Sequence, residues 1–225
     1  MSIDNLLLKH MLAYRQHWPW DRMKGSAACL KWSFRDLRGL DEVLELVPGR
    51  TVVVQAGGNL GIFPKRLAEE FASVITFEPD PKLFAILRKN APEPNIRAVW
   101  AALGETNNPV AVSSKRRDST GKPDHEGLTH VCGDGAIPQL RLDQLSLAVC
   151  DLIYLDIEGY ELHALRGAVE TIARCRPVIA IENNKNASFA GFTREQVVQF
   201  VISQGYKFVK RVNSDDVFIP EEMSL

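Results

Sequence analysis

The sequence lacks the marks of several large protein classes. No run of 18 apolar residues occurs in its 225 residues, so no segment qualifies as a membrane-spanning helix. The opening MSIDNLLLKHMLAYRQHW has no long apolar stretch of the secretory type, and the expectation is a cytoplasmic protein without a membrane partner. Four cysteines (Cys29, Cys132, Cys150, Cys175) show no CxxC or other ligand spacing, which points to reduced thiols rather than to disulfides or a zinc site. Charge of neither sign is in excess. A formal net charge of −1 gives no bulk attraction to nucleic acid or to an anionic membrane. The run Lys115-Arg116-Arg117 sits in a polar stretch and reads as a solvated surface. There is neither a Gly-x-Gly-x-x-Gly nor a glycine loop closed by Lys and Ser or Thr, so a pyrophosphate cradle and a P-loop are both missing.

A hydrophobic fraction of 45% and a charged fraction of 24% suit one ordinary globular α/β domain. Residues 1–47 read as an N-terminal helical cap. Apolar positions at Ile3, Leu6, Leu7, Met11 and Tyr14 give a helix over 3–18, and a second helix covers 38–47, before Pro48-Gly49. Trp18, Trp20 and Trp32 pack against the domain or line a substrate pocket.

Residues 48–225 form the main domain, in which strand and helix patterns alternate. Thr51 to Gln55 is an apolar run fit for the centre of a parallel sheet. A helix over 62–71 and a strand over 74–77 follow. Asp80-Pro81 opens a helix to Asn90, with Asp at the N-cap and Pro at the first helical position. Residues 96–103 read as one strand. An insertion at 105–139 is rich in polar residues, with β-like pieces at 110–113 and 139–142 and a mobile loop at 114–135. A strand at 151–155, a helix over 160–174 and a strand at 177–181 come next. Thr193 with Gln196 makes a capping box for a helix ending near Gly205, and a hairpin folds around Asn213-Ser214-Asp215.

Residues 51–80 carry the most information. An apolar strand enters a glycine-bearing turn, Gln55-Ala56-Gly57-Gly58-Asn59-Leu60-Gly61, and after a helix the second strand ends on Glu78. That is the layout of a nucleoside-binding βαβ unit. Glycines four apart suit a ligand without phosphates, such as S-adenosylmethionine, and Glu78 stands where both ribose hydroxyls need an acceptor. Two rivals stay open: an NAD-dependent oxidoreductase, and a non-catalytic nucleoside-binding module of the same fold.

The turn resembles the Asp-x-Gly-x-Asn-x-Gly of FkbM-type methyltransferases. The likeness continues through TFEPDP, AALGE, LRLDQL near 140–145 and YLDIEGYELHALRGA at 154–168, and so spans roughly residues 50–183. The resemblance implies a Rossmann-like class I methyltransferase fold: a mostly parallel seven-stranded sheet, helices on both faces, and an antiparallel closing hairpin. It implies S-adenosylmethionine as cofactor and methyl transfer, usually to oxygen, on a small-molecule or glycan acceptor. It assigns cofactor contacts to Gln55, Gly57, Gly58, Asn59, Gly61, Glu78, Pro79, Ala102 and Asp156. One residue departs from the pattern: Gln55 stands where the family usually has an acid, so no negative charge faces the amino group of the methionine moiety there.

Methyl transfer to an alcohol also requires loss of the acceptor proton, through a base or a metal. In the implied topology the strand ending at Asp156 lies beside the first strand. Asp156 and Glu158, two apart on an extended piece, then point to one side as catalytic candidates, with helix capping as the alternative for Glu158. Glu182 and Asn183 end the next strand, about 4.8 Å away. Asp156, Glu182 and Asn183 would then offer three oxygen ligands to Mg²⁺ or Ca²⁺. His163 reads as solvent-facing, and His125 and His130 as bystanders.

Overall fold

The computed structural model describes residues 37–113, 129–182 and 190–224. A seven-stranded sheet organises them in the order β10-β11-β9-β8-β1-β2-β3. Its strands are β1 (Val52–Ala56), β2 (Ser73–Phe77), β3 (Ile96–Val99), β8 (Leu152–Leu155), β9 (Val178–Glu182), β10 (Tyr206–Val212) and β11 (Asp215–Pro220). Pairing is parallel from β3 to β9. Only β11 runs against its neighbours, as the second arm of the closing hairpin. The seven-stranded, mostly parallel sheet expected from the sequence is the one observed.

The sheet is buried on both sides, and the strand period of two sorts its side chains between them. Val53, Val74, Leu152, Val178 and Val217 face a layer built from helix α1 (37–44) and helix α2 (Ile62–Ala68). Val54, Ile75, Ile153, Ile179 and Phe218 face the other layer, with helices α4 (Glu161–Arg166), α5 (Val169–Cys175) and α6 (Arg194–Ser203). Leu40, Val43, Leu44 and Val47 belong to the first of these cores, so the described end of the N-terminal segment is packed on the sheet itself. Trp18, Trp20, Trp32 and the helix expected over 3–18 lie outside the described residues. No helix among the described residues is long and apolar enough to cross a membrane.

Three elements differ from the sequence expectation, each through a tertiary contact. The strand expected over 96–103 is two strands. Trp100 donates its ring N–H to the Pro79 carbonyl (2.9 Å), and the chain leaves the main sheet there. Ala102–Leu103 (β4) then pairs in parallel with Gln139–Leu140 (β7). The helix expected over 160–174 breaks into α4 and α5. Asp143, in the 3-10 turn Leu142–Leu145, accepts hydrogen bonds from the Glu170 and Thr171 amides and the Thr171 hydroxyl at 3.1, 2.8 and 2.9 Å. It thus caps α5 from 26 or more residues away in sequence, and this satisfies donors that a continuous helix would have bonded internally. Part of the loop expected at 114–135 is a strand, β6 (His130–Asp134), paired antiparallel with β5 (Val110–Ser113); residues 114–128 lie outside the described residues. Helix α2 also ends at Ala68 rather than at 71. The capping box at Thr193 and the Asp80 cap with Pro81 on helix α3 (Pro81–Asn90) are present as expected.

Asp143→Ala would strand those buried donors. The expected result is a loss of about 2–3 kcal/mol, read as a thermal midpoint roughly 5–10 °C lower. An unchanged midpoint would refute the capping role.

Candidate active site

The crevice opens at the carboxyl ends of β1, β2 and β8, where the strand order reverses about β1. It is lined by Gly57, Asn59, Glu78, Pro79, Ala102 and Asp156 among others. Of the predicted cofactor residues these six line it. Gly58 and Gly61 shape the turn, and Gln55 lies beneath it.

Two amides at the turn, of Gly57 and Gly58, donate to the Phe77 carbonyl at 3.1 and 2.9 Å, which bends β1 over the tip of β2. Gly57 has φ 91°, and a Cβ there would lie 1.9 Å from the Asp156 carbonyl oxygen. At Gly58 a Cβ would meet the Leu87 side chain at 2.3 Å. Asn59 is itself left-handed at φ 44°, and Gly61, at φ 88°, caps α2. The main chain therefore approaches the crevice with no side chain between.

Gln55 is almost fully buried. Its amide donates to the Gly57 carbonyl (2.9 Å) and its oxygen accepts from the Thr76 hydroxyl, its register partner on β2. A carboxylate could accept from Thr76 but could not donate to Gly57. This explains in local terms how glutamine serves where related chains carry an acid. Thr76 itself escaped the sequence reading; aligning VVVQA against SVITF in parallel register would have found it.

Glu78 is 3% exposed. One carboxylate oxygen accepts from Asn59 N–H at 2.7 Å and the other from Asp80 N–H at 2.8 Å. Burial outweighs those bonds and raises its carboxyl to about 7. Each oxygen keeps a second lone pair, and Glu78 lines the crevice, so two hydroxyls can still be accepted.

Asp156 follows β8, and its amide donates to the Ala56 carbonyl (3.1 Å). Asp156, Glu158 and Glu182 bring carboxylate oxygens within 4.8 Å of one another. The route differs from the extended piece expected: Glu158 is left-handed at φ 58°, in a turn rather than a strand. Asn183 lies outside the described residues; among those described, Glu158 is the third member of the cluster. Burial, then the charges of Glu182 and Glu158, hold the Asp156 carboxyl well above its ordinary range. The N-cap residue of α4 is Tyr160. Glu161, missed in the sequence reading, braces that turn by accepting from the Ile157 and Gly159 amides at 3.1 and 3.2 Å. His163 is not solvent-facing: its Nδ1 lies 2.7 Å from a Glu105 carboxylate oxygen.

A mostly parallel seven-stranded sheet of this order, with one reversed strand, is the Rossmann-like fold of the class I methyltransferases. A family model of the methyltransferase FkbM domain matches residues 61–208, and the chain belongs to that family. The matched model is that of a methyltransferase domain, as the sequence resemblance implied.

Among solved structures, the FkbM methyltransferase of Methylobacillus flagellatus KT is similar at 17% identity and a TM-score of 0.50, over 76% of this chain and 43% of that one. The present chain thus spans less than half of that relative. A TehB-like S-adenosylmethionine-dependent methyltransferase from Corynebacterium glutamicum is similar at 16% identity and TM-score 0.47, over 81% and 87% of the two chains. TrmK from M. capricolum, solved with S-adenosylhomocysteine, is similar at 11% identity and TM-score 0.44, over 80% and 65%. No curated protein matches the chain.

Proposed function

We propose that this chain transfers the methyl group of S-adenosylmethionine to a hydroxyl oxygen of a small molecule or glycan. The observation that carries the reading is Glu78. It is a buried carboxylate with lone pairs still open to the crevice, opposite a turn whose main chain is bare. Glu78 would accept both ribose hydroxyls, Gly57 and Asn59 would follow the methionine moiety, and Pro79 and Ala102 would border the base.

The sulfonium is already an activated leaving group, so the protein mainly has to align the acceptor with the methyl carbon. Asp156 and Glu158 line the same crevice and are the groups placed to orient an acceptor hydroxyl. With Glu182 they form an all-oxygen set that fits a hard divalent cation, Mg²⁺ or Ca²⁺. The raised Asp156 carboxyl marks a place that favours added positive charge. A cation held there would lower the pKa of a hydroxyl bound to it.

Calorimetry separates these readings. S-adenosylhomocysteine is expected to bind and NAD⁺ not to, and the reverse pattern would overturn the cofactor assignment. Titration of Mg²⁺ or Ca²⁺ alone is expected to give heat that Glu182→Gln abolishes. No heat with the parent chain removes the cation from the reading and leaves methyl transfer intact.

A further inference from the structure

A second, more open crevice of about 910 Å³ adjoins the first, and the two share Tyr160 and Val131 in their walls. One side is the β5–β6 hairpin. The other is a shelf of two stacked rings, Tyr160 and His163, with centroids 4.2 Å apart. Phe192 meets His163 edge-on at 4.9 Å.

The shelf is held from behind. The Tyr160 hydroxyl donates to Gln139 Oε1 at 2.8 Å, and the Gln139 amide donates to the carbonyl and hydroxyl of Thr106 at 3.0 and 2.7 Å. Glu105 bonds His163 through one oxygen, and Arg166 approaches the other at 3.4 Å. A carboxylate can only accept, so Nδ1 of His163 carries the hydrogen, and in the neutral ring Nε2 is the nitrogen that holds the lone pair. A carboxylate fixing one imidazole nitrogen so that the other can take a proton is the arrangement of a general base with its orienting group.

The lining also limits what the crevice would take. It includes Asp134 and His130, and no Lys or Arg among the described residues, so an anionic acceptor would find no counter-charge. Thr106, Asn108 and Gln139 supply hydrogen-bonding groups beside the aromatic shelf, a combination that suits a flat-faced ring carrying several hydroxyls.

We propose that this second crevice is the acceptor site, that it takes a neutral polyhydroxylated ring such as a saccharide unit, and that His163, positioned by Glu105, takes the proton of the hydroxyl being methylated. This rests on the methyl transfer proposed above. The acceptor oxygen forms a bond to the methyl carbon while the carbon–sulfur bond breaks. That electron pair neutralises the sulfonium, and the hydroxyl proton goes to Nε2. The single positive charge passes from sulfur to imidazolium.

The test uses the full chain, S-adenosylmethionine tritiated in the methyl group, and three acceptor sets: neutral methyl hexosides, hexose phosphates and simple phenols. Label is expected in the neutral hexosides alone. Label only in phosphates or phenols, or in no acceptor while S-adenosylhomocysteine still binds, overturns the assignment. Failure of S-adenosylhomocysteine to bind would instead sink the methyltransferase reading beneath it. On the labelled hexoside, His163→Gln is expected to lower kcat about 100-fold. S-adenosylhomocysteine affinity should hold, because His163 is not among the residues lining the donor crevice, and the loss should fall on kcat more than on KM. Glu105→Gln, whose amide oxygen still accepts from Nδ1, is expected to lower kcat about tenfold, and it carries the test if His163→Gln fails to fold. An unchanged kcat in the folded variants overturns the role of His163.

Discussion

Glu78→Gln is expected to weaken S-adenosylhomocysteine binding about 100-fold while leaving a folded protein. A hydrogen bond to a charged acceptor contributes about 1.5–3 kcal/mol, and the substitution removes the charge and turns one of two acceptor oxygens into a donor. Both ribose hydroxyls are donors in this arrangement, so at least one loses its partner. The Asn59 and Asp80 amides share a single remaining oxygen, which costs stability. Relief from a buried charge offsets much of that above neutral pH.

The same carboxyl predicts a pH dependence. Its folded-state value is raised to about 7, from the ordinary 4.5, chiefly by burial. A raised acid favours its protonated form in the folded state. Its stabilising contribution to the free protein is therefore full below 4.5 and lost as pH rises through about 7. Ligand binding runs the other way, because accepting two hydroxyls requires the ionised form. Affinity should fall as pH drops below about 7, approaching tenfold per unit, with a proton released on binding. Calorimetry in buffers of differing ionisation enthalpy reads that proton directly. In Glu78→Gln the pH slope should vanish, and a variant that keeps it would show that another group is responsible.

Gly57→Ala carries the second large effect. Its φ of 91° disfavours any side chain, and the added methyl would sit 1.9 Å from a main-chain oxygen of Asp156, which cannot swing aside. Relief requires the tips of β1 and β8 to part. That breaks the Asp156 amide bond to Ala56 and the paired bonds to Phe77. The cost is about 3 kcal/mol or more, with a midpoint lower by roughly 10 °C and no measurable S-adenosylhomocysteine binding. Gly133→Ala is the control. Its φ of 67° lies in the same backbone region, but nothing lies within 4 Å of the added carbon. It should cost only about 1 kcal/mol, with ligand binding retained. Equal effects at the two positions would refute the close approach as the cause.

The central sheet was legible because its causes are local. Alternating apolar residues in TVVVQ and SVITF, Asp80-Pro81 and the Thr193–Gln196 box each state their element within a few residues. The glycine turn and Glu78 were legible for the same reason. What could not be read lies in contacts between distant segments. Nothing near residue 167 announces that Asp143 will cap a second helix there, and nothing near 99 announces that Trp100 will bond Pro79. His163 looked exposed because it falls off the apolar stripe of its helix, yet Glu105 and Phe192 cover it from other elements. The acid cluster was half legible. The strand order brings Asp156 and Glu182 together, but the left-handed turn that adds Glu158 leaves no mark in the spacing.

The short pairing of Ala102–Leu103 with Gln139–Leu140 has a wider consequence. It ties the stems of the 105–138 excursion side by side, so that segment departs from and rejoins the domain at one place. Everything assigned to the methyl donor, apart from a few contacts at its rim, lies outside the excursion. Substituting a foreign stretch between those stems would disturb neither the central sheet nor the grip on the donor. On the acceptor site proposed above, such a graft would replace the wall formed by β5 and β6 and leave the donor crevice in place.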